Sequence, residues 1–391
     1  MTRSGFSARR QSMHCSSHIR PARGVSSARS ICLSTLGPLG RAAWAIFVLV
    51  VMAAVPAQLV AAGEVKVPST SNRPARKVIV GTAMQAFWEE YPGLEKRLQQ
   101  LGGIIDRMAE ESKRKYGRSI DVAVLPEVAV TGEVTGEAVE SSVPFEGQVK
   151  EAFVRKAREH QCYIVVPMYL REDKGKKICS NVAILVGRSG EVVGTYRKLH
   201  LAVPVGSDSM EGGMTPGKEV PVFDCDFGKL GMQICFDMEY GYGWEQLARK
   251  GADLVAWPTQ SPQTAQPALR AMQHRYYIVS STWRNNASIF EPTGRITAQI
   301  KPPDQVLVQE IDLSYALLPW SKELRNGEAL REKYGDKVGF RYYEDEDRGI
   351  FWSNDPSVTI GEMLRSLGVA EEEDEFQRIQ RLFHKAGVPG S

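Results

Sequence analysis

The first 62 residues of this 391-residue chain contain no Asp, no Glu and no Lys, although those three and Arg make up 24% of the whole. Seven arginines (Arg3, Arg9, Arg10, Arg20, Arg23, Arg29 and Arg41) carry that segment's charge, so the overall +3, less those seven, leaves −4 on the remainder. A mildly acidic body argues against a nucleic-acid-binding surface, and no nucleic acid is expected as a partner. Cysteine is scarce as well, with six in all, none in a CxxC or Cys/His metal spacing. No metal or other cofactor is therefore expected. No short internal repeat is evident. With 43% hydrophobic residues, the chain can still bury a sizeable core as one large or two modest domains.

The one long uncharged run, "AAWAIFVLVVMAAVPAQLVAA" over 42–62, follows the arginine- and serine-rich stretch. It reads as an export signal, with "VPA" ending at Ala57 and "VAA" ending at Ala62 as cleavage sites. Pro56 and Gln58 spoil a clean membrane span. Two readings compete with it: an uncleaved single-span anchor, the chain's only expected membrane contact, and an organelle transit peptide. An exported location, periplasmic or secreted, follows from the first reading. Cys15 and Cys32 leave with a cleaved signal, so Cys162, Cys179, Cys225 and Cys235 remain. An oxidising compartment permits one disulfide among them. Spacing gives no pairing, and small buried thiols are the commoner fate.

The expected organisation is a leader over 1–62, a polar linker over 63–76, a main domain over 77–317 and an extension over 318–391. In the main domain, short β-branched runs alternate with helical spacing. "KVIVGTAMQAF" precedes a helix whose apolar positions are Leu98, Leu101, Ile104, Ile105 and Met108. "IDVAVLPEV", a helix over Gln148–His160 and "CYIVVPMYL" repeat the unit. Hairpins follow at Gly187-Arg188-Ser189-Gly190 and at Asp226-Phe227-Gly228. The pattern predicts an α/β layered protein with mixed sheets. Past Leu317 it breaks into an aromatic tail holding Phe340, Tyr342, Tyr343, Phe351 and Trp352. That much apolar area is expected to pack on the body or on a second subunit. The acidic run at 371–375 reads as a solvated helix start, with a metal-binding role as the lesser alternative.

Three polar residues stand at the ends of apolar strands: Glu127 in "VAVLPEV", Lys198 in "GEVVGTYRKLHL" and Cys235 in "KLGMQIC". Taken singly, they read as a loop carboxylate, a surface charge and a buried small side chain. In an α/β protein, however, neighbouring strand ends converge on one cleft. A carboxylate, a cation and a thiol in one dry pocket form a nucleophile-activating set. The lysine lowers the free energy of the thiolate, and the glutamate takes the thiol proton and returns it to a leaving amine. His200 and His274 read as structural, because this chemistry needs neither.

"PEVAVTG" at Glu127, "YRKLHL" at Lys198, "GMQICFDMEY" at Cys235 and "LVAWPT" ending at Thr259 resemble, in order, the motifs of the nitrilase, or carbon-nitrogen hydrolase, superfamily. The resemblance spans roughly 77–313. It implies an αββα sandwich, a Glu-Lys-Cys triad that attacks a nitrile, amide or carbamoyl carbon, and a homodimer or larger assembly. It also implies a second glutamate before a "TPG" segment, which Glu211 matches, to hold Lys198 and position water. The backbone N–H of Phe236, with Lys198, would stabilise the oxyanion. Met238, Glu239 and Trp257 are the remaining expected substrate-binding positions.

Relatives that hold a substrate carboxylate carry arginine shortly after the nucleophile, where this chain has Met238, Glu239 and Tyr240. Cys-Phe-Asp at the nucleophile is also nearer the amidase-like branches than the Cys-Trp-Glu of nitrilases. A small neutral or cationic amide is therefore the expected substrate. Nitrile or carbamoyl hydrolysis and N-acyl transfer are the alternatives, and a non-catalytic scaffold is a third class.

Overall fold

The computed structural model describes residues 70–389 except 134, 135 and 371, so the expected leader lies outside them. In chain order the strands are β1 (Lys77–Ala83), β2 (Val122–Val124), β3 (Tyr163–Asp173), β4 (Ile178–Val186), β5 (Val192–Arg197), β6 (Val222–Cys225), β7 (Gly228–Met232), β8 (Leu254–Pro258), β9 (Tyr277–Ser281), β10 (Ser288–Phe290), β11 (Ile296–Gln299), β12 (Val306–Asp312), β13 (Tyr315–Pro319), β14 (Val338–Tyr343) and β15 (Arg348–Ser353). The helices are α1 (Leu94–Tyr116), α2 (Ala138–Ser141), α3 (Gln148–His160), α4 (Gly241–Arg249), α5 (Ala265–His274), α6 (Glu328–Tyr334), α7 (Ile360–Arg365) and α8 (Glu372–Lys385). None of these helices is long and apolar enough to cross a membrane.

Strand alternation builds the layers. Val78 and Val80, Val122 and Val124, Tyr163 and Val165, and Ala183 and Leu185 point to one face of the first sheet. There they meet Leu230, Leu254, Ala256, Tyr277 and Val279 from the second. The intervening residues, Ile79, Ala123, Ile164, Val166 and Ile184, face the opposite way, onto α1 and α3. In the second sheet Val255, Trp257 and Ile278 turn outward to pack with Trp244 and Leu247 of α4 and Ala271 of α5. A period of two with both faces apolar requires cover on both sides, and the result is a four-layer αββα sandwich. Each sheet has one glycine where a helix comes close: a Cβ on Gly81 would sit 2.9 Å from Met108 Sδ, and one on Gly231 2.7 Å from a Leu247 methyl.

The sheet orders are β12-β1-β2-β3-β4-β5 and β11-β10-β9-β8-β7-β6. β1, β2 and β3 run parallel, as do β7, β8 and β9. At the C-terminal ends of β1 and β9 the sheets are joined by main-chain bonds, Thr282 N to Ala83 O at 3.0 Å and Gln85 N to Thr282 O at 2.9 Å. The Thr82 hydroxyl adds a bond to Ser280 O at 2.6 Å.

The aromatic tail forms a third sheet, β13-β15-β14, packed through Leu318, Phe351, Ile360, Met363 and Leu364. Its β14 reaches the body through Arg341, which donates to the fully buried Glu291 Oε2 from Nε at 2.9 Å and Nη2 at 2.5 Å. The same chain segment is tied to α5's end by the Tyr315 hydroxyl, 2.6 Å from Arg275 O.

Candidate active site

The strand ends deliver Glu127, Lys198 and Cys235 to one edge of the sandwich. Glu127 lies three residues past β2, Lys198 one past β5 and Cys235 three past β7, opening a short 3-10 helix, Cys235–Glu239. The backbone there is unusual. Cys235 has φ 40°, Val128, next to Glu127, has φ 51°, and Glu211 has φ 40°. Left-handed backbone is disfavoured for side chains with a Cβ, and most of all for a β-branched valine. Such positions persist only where their surroundings hold them. Glu211 is held by its N–H to Ala202 O at 2.9 Å, and its Oε1 accepts Ala202 N at 3.0 Å.

Lys198 is the centre of the ionic group. Its Nζ lies 2.9 Å from Glu127 Oε1 and also bonds Glu211 Oε1. The side chains of Lys198, Glu127 and Glu211 are only 1%, 3% and 10% exposed, so water screens this group little. Asn181 of β4 spans both carboxylates: its Nδ2 donates to Glu127 Oε1 at 3.0 Å and Glu211 Oε2 at 3.1 Å. Glu127 Oε2 is buried with no hydrogen-bond partner at ordinary geometry. The third N–H of Lys198 bonds no described residue.

Burial pushes the Glu127 carboxyl above its usual range and the Glu211 charge adds to that, against the pull of Lys198. For Lys198, burial works against the ammonium, but Glu127, Cys235 and Glu211 outweigh it and hold it well above its ordinary value. Cys235 is pushed up to about 12, chiefly by burial of its sulfur and then by the Glu127 charge. Lys198, the Gln260 N–H and the Thr259 hydroxyl pull the other way without reversing it. The sequence leads one to expect a lysine-stabilised thiolate. Burial, and after it the Glu127 charge, instead favours the neutral thiol.

The turn that carries Cys235 is fixed from both sheets. Asp237, fully buried, accepts Ile234 N at 3.0 Å, the Tyr196 hydroxyl at 2.7 Å, and His200 N and Nδ1 at 2.9 Å each. It thus ties the Cys235 turn to the segment following β5. Trp257 Nε1 donates to Cys235 O at 3.2 Å, and Trp283 Nε1 to Glu127 O at 2.9 Å. At the rim, Phe236 is exposed and meets Tyr240 edge-to-face, while Tyr240 stacks on His200 with centroids 3.9 Å apart. Glu239 is exposed and accepts Gln263 Nε2 at 3.1 Å and Gln266 Nε2 at 3.2 Å.

Two expected substrate contacts are core residues instead. Met238 and Trp257 are buried in the layer beneath α4 and α5, because the 3-10 turn and the pleat of β8 rotate their side chains to the outer face. Trp257 reaches the site only through its indole N–H. Asn181, Tyr169, Thr259 and Asp237 belong to the site and were missed. Tyr169 is buried, and its hydroxyl feels Glu127, Glu211, Lys198 and Cys235. A polar Asn in the middle of the apolar β4 was the signal that could have been read. Away from this edge, Asp106, Glu159 and His160 bring ligand atoms within 4.8 Å of one another. Lys156 Nζ, 2.7 Å from Asp106 and 2.8 Å from Glu159, already supplies the positive charge there.

The architecture is that of the nitrilase superfamily. Saccharomyces cerevisiae Nit3, a member of branch 10 of that superfamily, superposes with a TM-score of 0.52 at 20% identity, covering 67% of this chain and 96% of that one. An amidase from Nesterenkonia sp. gives 0.51 at 20% identity over 61% and 91%. The carbon-nitrogen hydrolase family model matches residues 86–317, and the chain belongs to that family. Among curated relatives, omega-amidase NIT2 of Danio rerio is 26% identical over 241 residues, 55% of this chain and 86% of its own length. The deaminated glutathione amidase of Homo sapiens is 25% identical over 206 residues, 46% and 62% respectively. The protein is a carbon-nitrogen hydrolase.

Proposed function

We propose that this enzyme hydrolyses a small neutral or cationic amide through a thioester on Cys235, with Glu127 carrying the proton. The observation that carries this reading is the inequality of the two glutamates. Both oxygens of Glu211 are engaged, whereas Glu127 keeps Oε2 without a partner at ordinary geometry, and the Cys235 thiol acts on that same carboxyl. The Cys235 S–H proton passes to that oxygen as sulfur attacks the amide carbon, and the carbonyl π electrons move onto oxygen. The Phe236 N–H and the free N–H of Lys198 receive the oxyanion. Collapse expels the amine, which takes the proton from Glu127. Water then cleaves the thioester, with Glu127 as base and Glu211 holding Lys198 in place.

A thiol at about 12 fits this sequence of events, since the proton leaves with the attack rather than before it. The substrate preference rests on charge. Two carboxylates against one ammonium make the pocket anionic, and Glu239 adds an exposed carboxylate four residues from the nucleophile. A substrate carboxylate would be repelled at close range. Relatives named as amidases support the amide reading, beside one named a probable nitrilase.

The test is intact-protein mass spectrometry after acid quench during turnover of a panel of amides. An acyl adduct that maps to Cys235 is expected. Cys235→Ala should keep the fold and lose at least about 1,000-fold in rate. Near-native turnover in that variant would remove Cys235 from the chemistry.

A further inference from the structure

We propose that Asn181 is a positioning residue that decides which oxygen of Glu127 works as the base. The proposal rests on the reading of Glu127 as proton carrier and adds a residue to it. A carboxylate has two equivalent oxygens, and rotation about its last bond exchanges them. Nothing in a lysine alone distinguishes them, because an ammonium bonds either one, or both.

The distinction comes from β4. Glu127 Oε1 accepts from Lys198 at 2.9 Å and from Asn181 Nδ2 at 3.0 Å, which fills its two lone pairs. Oε2 is left with none. The second Nδ2 hydrogen goes to Glu211 Oε2 at 3.1 Å, so one amide group lies between two like charges and offsets their repulsion. The orientation of that amide follows from its neighbours: both are acceptor-only oxygens, so the NH2 must face them. Asn181 also fixes the cation's backbone, for its own carbonyl accepts Lys198 N at 2.9 Å.

A purely structural asparagine should have all its polar atoms satisfied. Asn181 does not: it is fully buried and its Oδ1 has no partner. A buried, unpaired carbonyl is a standing cost, and the core of β4 would accommodate an apolar side chain without it. What Asn181 gives in return is a pinned Glu127, with Oε1 tethered and Oε2 left to take the proton from the thiol that acts on the same carboxyl.

The experiment measures kcat, KM and the pH dependence of kcat/KM on an active amide for Asn181→Ala and Asn181→Asp, with Glu127→Gln alongside. Both Asn181 variants should lose about 100-fold in kcat with KM nearly unchanged, because a misaimed base affects the chemical step. The acid limb of kcat/KM should move to higher pH in Asn181→Ala, since a hydrogen bond to the charged Glu127 is gone. It should move further in Asn181→Asp, which adds a third negative charge. Alanine is small enough for the core and aspartate keeps the shape, so at least one variant should fold.

An acid limb that coincides with wild type in the folded variants would overturn the proposal, as would a loss confined to KM. Wild-type turnover in Glu127→Gln would instead overturn the reading on which it rests.

Discussion

The two ends of the sandwich each carry an ionic cluster, and they are built on opposite plans. At the far end Asp253, just before β8, accepts Arg73 Nη1 at 3.0 Å, Arg76 Nη2 at 3.1 Å, Arg76 Nη1 at 3.3 Å and Lys229 N at 2.9 Å. Both its oxygens are fully used, and the two arginines are 39% and 24% exposed. At the near end, Lys198 and its two carboxylates are enclosed and one oxygen is unused. A cluster that serves the fold is saturated and keeps its cations in water, where desolvation is cheap. A cluster that is buried and incomplete gains nothing for stability, and its vacancy is where a proton can go.

The sharpest way to break this contrast is at the near end. Glu127→Gln should lower turnover by about 1,000-fold and leave no acyl adduct, because the thiol then has no base. Glu211→Gln should lose less, about 10- to 100-fold, and let the thioester accumulate if water is poorly placed. Adduct in Glu127→Gln alone, or equal adduct in both, would reverse the two roles.

A second measurement concerns the thiol itself. With Cys235 held up to about 12, its alkylation by iodoacetamide should rise about tenfold per pH unit from 7 to 10 without levelling off. A plateau near neutral pH would reveal a standing thiolate. Peptide mapping is needed, since burial holds Cys162 and Cys225 at about 12 as well. The smallest effect belongs to the far end. Asp253→Asn should destabilise the fold by about 2 kcal/mol, in a salt-dependent way, with kcat unchanged. A loss of activity without a loss of stability would join two clusters that the geometry separates.

Much of the layering was legible because apolar spacing dictates it. α1 carries the Leu98–Met108 stripe on its buried face, and α3 begins and ends where the 148–160 pattern places it. The run at 120–128 misled: β2 ends at Val124, because Leu125 and Pro126 lead into the turn that carries Glu127. The meeting of Glu127, Lys198 and Cys235 followed from their strand-end positions. Glu211, carried by the family resemblance, proved to bond the same lysine. The site's remaining members were hidden for a shared reason. Asn181, Tyr169 and Thr259 act through contacts across strands and between sheets, and one-dimensional spacing does not encode which neighbour a polar strand residue will meet. The rotation of Met238 and Trp257 into the outer layer was decided in the same way, by turn geometry rather than by composition.

The main-chain join between Ala83 and Thr282 ties β1 to β9 at the site's own edge, and the next residue, Trp283, holds Glu127 by its carbonyl. Glu127 and Lys198 follow strands of the first sheet and Cys235 a strand of the second. No fragment containing one sheet can hold a complete site, and neither sheet can loosen without pulling on the other. Inactivation by heat or denaturant should therefore run together with the loss of tertiary structure, leaving no partly unfolded species that still turns over.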